Sequence, residues 1–282
     1  VYIEHTDCFS VLFYANYWRF MASGREAALG AAVASRIRRE GLHHMLLSAD
    51  GGRLASPAVL GDTLHVSSSL VSRDTSRLLW RQTVAPATGA GKPHASCDVV
   101  SGFVDAGGVL QPLPSELNLL ELPLLAPALP LQPFADHAPG STVTVVLPWA
   151  EELSAHGTPS ETDVLRWFER NRTDAIGGGA GLAALQAAGV LVVVTSINAF
   201  HLCHKAAAEA HAGPLTVRSG VTLKRRGMFI LFRQEVHTHA GVLLARAEIM
   251  CACVDAASMA LTAAPTVLME RMQAPGHIAR QT

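Results

Sequence analysis

The chain has 282 residues, 49% of them hydrophobic, which is enough apolar material for two cores rather than one small domain. Its 22 basic and 23 acidic residues leave no cationic surface for nucleic acid or an anionic membrane. The five scattered cysteines, Cys8, Cys97, Cys203, Cys251 and Cys253, fit neither a disulfide framework nor a zinc spacing, so a reducing, cytoplasmic compartment is expected. No apolar run has the length of a membrane span and none resembles a signal peptide, so no membrane partner is expected.

Residues 1–9 read as a strand and 15–33 as a helix. Tyr17, Phe20, Met21 and Ala28 recur at helical spacing in that helix, and Asn16 is placed to cap it. Strand-like runs follow at 41–48, 62–73, 76–84 and 94–105. The stretch 107–140 then holds seven prolines among many leucines. Prolines this dense exclude a helix interior or a central strand, and the leucines argue against a solvated linker. An extended crossover strapped to the protein surface is expected. Beyond it, 141–149 reads as a strand and 161–174 as a helix, with strands at 190–197, 215–225, 227–237 and 243–255. The glycine-rich stretch 177–189 lacks the Lys and Ser/Thr of a phosphate loop and reads as a loose helix end or a pocket lid.

The two halves repeat each other. "NYWRFMASGR" at 16–25 answers "DVLRWFERNR" at 163–172, with Arg19 over Arg166 and Arg25 over Arg172. "WRQTV" at 80–84 answers "FRQEV" at 232–236, and "ASCDVVSGFVDA" at 95–106 answers "ARAEIMCACVDA" at 245–256. The spacing moves from 147 to 152 and back to 150, which needs only changes of loop length. The expected organisation is a first unit over 1–106, a crossover over 107–140 and a second unit over 141–282. Each unit is an α+β repeat of the pattern β-α-β-β-β-β. Its helix buries an apolar stripe on the concave face of an antiparallel sheet, and the two sheets pair edge to edge.

"TDCFSVLFYANYWRFMASGRE" resembles the motif ahead of the long helix in the 4-hydroxybenzoyl-CoA thioesterase group of hotdog-fold enzymes. In that group an acid and a short loop precede aromatic-x-Asn-Tyr-x-Arg-aromatic. "SPAVLGDTLHV" at 56–66 is similar to the group's Pro-Ala-x-x-Gly-Asp-x-Leu segment. "LSAHGTPSETDVLRWFERNR" repeats the first motif, with Ser154 where the acid stands and Thr158 and Asp163 also departing. The resemblance covers nearly the whole chain except the crossover. It implies a double hotdog, a pseudo-dimer within one chain that is open to further homo-oligomerisation, with an active site at the seam of the units. It also implies hydrolysis of an acyl-CoA or acyl-carrier-protein thioester, with Asp7 as nucleophile or general base and the helix N-terminus at 14–17 polarising the carbonyl.

Several other residues carry two readings each. Tyr14 and Asn16 either line the acyl pocket and orient a water and the carbonyl, or pack and cap the helix. His5 shares a strand face with Asp7 and either tunes it or is structural. Ser56 and Pro57 sit where the resemblance implies that the chain passes the pantetheine arm, and read either as a binding edge or as an ordinary loop. Lys224, Arg225 and Arg226 form a basic turn suited to CoA or phosphopantetheine phosphates, or a solvated hairpin. His237 and His239 lack a third ligand, so neither a metal nor a resident cofactor is expected; the substrate itself carries CoA or phosphopantetheine. The competing reactions are a hotdog dehydratase, or an acyltransferase or decarboxylase acting on a carrier-bound polyketide or fatty acyl intermediate. The competing non-enzymatic role is an acyl-binding scaffold.

Overall fold

The computed structural model of the chain describes residues 1–7, 10–89, 91–117, 122–125, 142–154, 157–273 and 277–280. The long helix α1 spans Tyr14–Glu40, beyond the expected 15–33. Its first turn, residues 14–18, is buried all round, and from Trp18 on the buried residues Met21, Arg25, Leu29 and Val33 follow the three- and four-residue steps of one helical face. The helix kinks at Gly30, where φ is +80°, and ends on Gly41 in the left-handed region that glycine accepts without strain.

In the second unit α2 (Glu161–Ile176) breaks at Gly177 and α3 (Gly178–Ala187) follows directly. Gly177 lies 147 residues after Gly30, so α2 and α3 together repeat α1 with its kink. The glycine-rich stretch is therefore the far arm of a kinked helix.

The described strands are β1 (His43–Leu54), β2 (Leu64–Arg73), β3 (Arg77–Pro86), β4 (Ala95–Val104) and β5 (Leu110–Gln111), then β6 (Thr142–Val146), β7 (Val190–Leu202), β8 (Leu215–Lys224), β9 (Phe229–His237), β10 (Leu243–Asp255) and β11 (His277–Arg280). They form one sheet in the order β11-β6-β8-β9-β10-β7-β1-β4-β3-β2, with β5 beside β4. The units meet where β1 pairs antiparallel with β7, Ser48 facing His201 and Arg53 facing Ser196. At the middle of this seam Gly51 and Ala199, both at positive φ, occupy equivalent places on the two strands.

The strand expected over 1–9 is a correction. Ile3–His5 form a 3₁₀ turn, with Tyr2 and Ile3 exposed. Ala150–Glu152 form the same turn 147 residues later, after β6. Val1–Thr6 thus repeat the loop that follows β6, not β6 itself. Asn16 is likewise not the cap of α1: Phe13 holds that position without a side-chain bond, and Asn16 lies inside the helix.

The described part of the crossover lies along the first unit. Leu113 and Leu125 donate their amides to the carbonyls of Thr75 and Arg73, and Glu116 pairs with Arg36 at 2.9 Å. His204 of the second unit bonds the Gly108 carbonyl through Nδ1 at 2.6 Å. Residues 126–141 lie outside the described residues. No helix among the described residues is long and apolar enough to cross a membrane.

Two buried arginines join the helices across the seam. Arg25 on α1 donates to Gln82 of its own unit (2.7 Å) and pairs with Glu161, the first residue of α2. Arg172 on α2 donates to Gln234 of its own unit (2.6 Å) and to the hydroxyl of Tyr14, the first residue of α1 (2.5 Å). Both glutamines tie back to helix carbonyls, Gln82 to Met21 and Gln234 to Phe168. The arrangement is two-fold symmetric, with Glu161 answering Tyr14.

Removing one partner of a buried ion pair leaves an uncompensated charge, which costs about 3–5 kcal/mol. Glu161→Gln is therefore expected to lower the unfolding free energy by about that amount. Urea unfolding checks this, and Arg25→Met with Glu161→Met recovers most of the loss.

Candidate active site

Asp7 is held in a tight hairpin at the start of α1. Its amide donates to the Val11 carbonyl (2.9 Å), Ser10 donates to the Asp7 carbonyl, and Thr6 pairs with Leu12. The His5 carbonyl then accepts from both the Phe13 amide (2.9 Å) and Asn16 Nδ2 (2.9 Å). These bonds fix the half-buried Asp7 two residues from the group that anchors the helix start. The first amides of α1 have no acceptor within the helix and carry the positive end of its dipole.

The segment 55–62 closes over this hairpin. Leu12 donates to the Ala58 carbonyl, Val11 bridges Val59, and Ala58 donates its amide to the Tyr17 hydroxyl at 2.8 Å. Burial pushes the Tyr17 hydroxyl up to about 12, so it stays protonated. Ser56 and Pro57 are exposed on this segment, and Ser56 Oγ lies 3.0 Å from His94 Nδ1. His5 packs edge-on against Phe20 and accepts the Tyr2 amide on Nδ1. The structure thus gathers Asp7, His5, Asn16, Ser56 and Pro57 into one corner.

Tyr14 is drawn away from that group. Its buried hydroxyl donates to the Leu165 carbonyl (2.8 Å) and accepts from Arg172, and burial above all keeps it protonated. Both bonds tie the Tyr14 oxygen to the second unit, at the seam. Asn16 keeps one open valence: its Oδ1 is buried with no hydrogen-bond partner, while its Nδ2 holds the hairpin.

Strand directions place the remaining features. Every neighbouring pair from β2 across the seam to β8 is antiparallel. Six strands separate β2 from β8, so the start of β2, the end of β1, the start of β7 and the end of β8 share one rim. The Asp7 corner sits on that rim. So does the exposed turn Lys224, Arg225 and Arg226, although no described hydrogen bond or ion pair links it to the corner. Arg225 stacks over Phe229 at 5.5 Å.

A cleft of about 130 Å³ opens in the second unit between α2, α3 and the start of β7. Ile176, Leu185, Val190, Val192, Phe232 and Cys251 line it, with Arg172 and Glu169 at its polar end. Arg172, which lines the cleft, is also the residue that donates to the hydroxyl of Tyr14 at the start of α1. Another void, beside Tyr17, Trp18 and Met21, is about 10 Å³, room for at most one water.

The corresponding place in the first unit is filled. His44, Trp80 and Ser101 stand where Val192, Phe232 and Cys251 stand in the second. Trp80 Nε1 donates to Ser101 Oγ at 2.8 Å, and that oxygen lies 2.8 Å from His44 Nε2. His44 also stacks on Phe103. Burial, and secondarily the charge on Arg25, holds the imidazole down to about 3, so it is neutral.

The second unit's copy of the Asp7 corner differs in every polar group. Ser154 Oγ bonds Thr158 Oγ1 at 2.8 Å, and Asp163, at the Asn16 position, accepts from the Ser160 amide as a helix cap. Sequence reasoning missed Arg172 as the link between site and cleft, and missed the cleft itself. The available signal was Arg25 over Arg172, read as a mark of repetition and not as a cross-seam contact.

No family model matches this chain, and no curated protein does. Solved structures do. The 12:0-ACP thioesterase from Umbellularia californica superposes with a TM-score of 0.65 over 90% of this chain and 91% of that one, at 11% identity. A putative oleoyl thioesterase from Lactobacillus plantarum gives 0.68 over 89% and 93%, at 7% identity. An acyl-ACP thioesterase from Bacteroides thetaiotaomicron gives 0.59 over 89% and 94%, at 10% identity. At such identities the likeness shows the fold, a double hotdog with two units in one chain.

His44 stays neutral in the folded chain down to about pH 3, while an unfolded histidine takes a proton near 6.5. The unfolded state therefore binds the extra proton between those values, and His44 makes stability fall as pH drops through that window. His44→Gln, which cannot titrate there, is expected to show a smaller drop in urea midpoint between pH 7 and about 4.5.

Proposed function

We propose that the chain hydrolyses an acyl thioester carried on CoA or on the phosphopantetheine of a carrier protein, using one site, at Asp7. The observation that carries this reading is the contrast between two equivalent corners. In the hairpin ahead of α1 the first holds the acid Asp7, and at the equivalent position the second holds Ser154, its hydroxyl bonded to Thr158, with Asp163 engaged as the cap of α2. Similarity of fold to three acyl thioesterases adds support.

In this reading the thioester carbonyl oxygen lies at the N-terminus of α1, where the unpaired amides and the dipole stabilise the developing oxyanion. The Asp7 carboxylate either attacks the acyl carbon, giving an anhydride that water then cleaves, or takes a proton from the attacking water. In both routes the C–S bond breaks, the thiol leaves with a proton and a carboxylic acid remains. Asn16, whose free Oδ1 faces the interior beside the hairpin, serves as an acceptor for that water or for a pantetheine amide. Tyr14 positions the helix start through Arg172. Ser56 and Pro57 flank the pantetheine arm, His5 supports the hairpin, and Lys224, Arg225 and Arg226 meet the phosphates along the shared rim. No resident cofactor is required.

The test is release of free thiol from a panel of acyl-CoA and acyl-carrier substrates. Asp7→Asn and Asp7→Ala are expected to lower kcat by roughly 10²–10⁴-fold, the usual worth of a positioned acid or base. Variants that keep the parental rate would remove Asp7 from the mechanism.

A further inference from the structure

Two asymmetries between the units coincide. The first unit keeps the acid and the second has lost it. The second unit keeps an open cleft, while Trp80, His44 and Ser101 fill the equivalent place in the first. The two-fold seam makes this pairing meaningful. α1 begins against Arg172 and the cleft of the second unit; α2 begins, through Glu161, against Arg25 and the filled place of the first. Each helix start is therefore tied across the seam to the other unit: α1, which follows the acid, to the Arg172 that lines the open cleft, and α2, which follows Ser154, to the Arg25 beside the plug.

Resting on the thioesterase reading, we propose that the cleft of the second unit is the sole acyl pocket, serving Asp7 from across the seam, and that it takes a ring-sized or roughly six-carbon apolar acyl group. The lining carries the chemistry. Ile176, Leu185, Val190, Val192 and Phe232 give a largely apolar wall, and the polar side chains Thr173 and Gln186 stand on the helices that border it. Arg172 and Glu169 neutralise one another at the end nearest Tyr14. The volume, about 130 Å³, compares with an apolar cavity of about 150 Å³ that accommodates benzene. A twelve-carbon chain, with twice the carbons of benzene, exceeds it about twofold. The two units also show how the pocket is opened or shut: indole against phenyl at Trp80 and Phe232, imidazole against isopropyl at His44 and Val192, and a hydroxyl that bonds both rings against the Cys251 thiol.

The experiment compares the parent with Phe232→Trp, which copies the plug of the first unit, and with Trp80→Phe as a control in the filled place. Acetyl, hexanoyl, benzoyl and lauroyl thioesters are offered on CoA and on a phosphopantetheinylated carrier protein. The parent is expected to favour hexanoyl or benzoyl over both acetyl and lauroyl by at least tenfold in kcat/KM. Phe232→Trp should cut the hexanoyl-to-acetyl ratio at least tenfold, and Trp80→Phe should leave that ratio within twofold. A ratio unchanged in Phe232→Trp, or a parental preference for lauroyl, overturns the proposal. Calorimetric binding of S-hexyl-CoA, a thioether that cannot be hydrolysed, separates the two readings and needs no turnover. Binding by the parent that is lost in Phe232→Trp supports the pocket even if no thioester is cleaved, in which case the hydrolytic reading fails alone. Equal binding by both proteins, or none by the parent, places the acyl group elsewhere.

Discussion

Arg25 and Arg172 are the hinge on which the rest of the architecture turns. Each is buried, each is held by a glutamine of its own sheet, and each reaches over the seam to the first residue of the other unit's helix. A charge at such depth persists only when its donors are satisfied, so neither helix can shift without exposing the other's arginine. The helices are thus fixed by their starting residues. The corner of Asp7, which leads into α1, inherits its position from an interaction that lies outside it.

The same symmetric frame carries unequal contents. Glu161 and Tyr14 answer one another as partners of the two arginines, yet one brings a carboxyl group and the other a phenol kept protonated by burial. The corners differ as Asp7 and Ser154, and the places behind them as a cleft and a packed trio of side chains. In a symmetric homodimer, a residue that widens one pocket widens both. Two units in a single chain escape that restriction, so the frame can be conserved by its buried polar pairs while the spaces around it diverge.

Much of this was legible in the sequence because the repeat preserves what is buried and polar. The "WRQ" and "FRQ" blocks place Gln82 and Gln234, and the aligned helices place both arginines. What the alignment could not supply was the direction in which those side chains reach, since their partners lie 136 and 158 residues away. Residues 1–9 read as a strand because their apolar content suits one, and only the matching 3₁₀ turns show which part of the repeat they belong to. The motif that makes Tyr14 a candidate does not tell which way its oxygen reaches, and that oxygen bonds Leu165 and Arg172 across the seam. The cleft was hidden because Val192, Phe232 and Cys251 are unremarkable core residues taken singly. They gain meaning against His44, Trp80 and Ser101, and the spacing between these pairs drifts from 148 to 152 residues.

The pairing of β1 with β7 has a metrical consequence. Successive residues on a strand advance about 3.3 Å, and a slip of two keeps every side chain on its own face while moving one unit about 7 Å past the other. The interval between the carboxylate on one side of the seam and the apolar cleft on the other is therefore set by which residues of the two strands face each other. Gly51 and Ala199, the two positive-φ residues at the middle, mark the centre about which the two strands are related. The reach from a scissile bond to the end of its acyl group is, on this view, a length written in hydrogen-bond register.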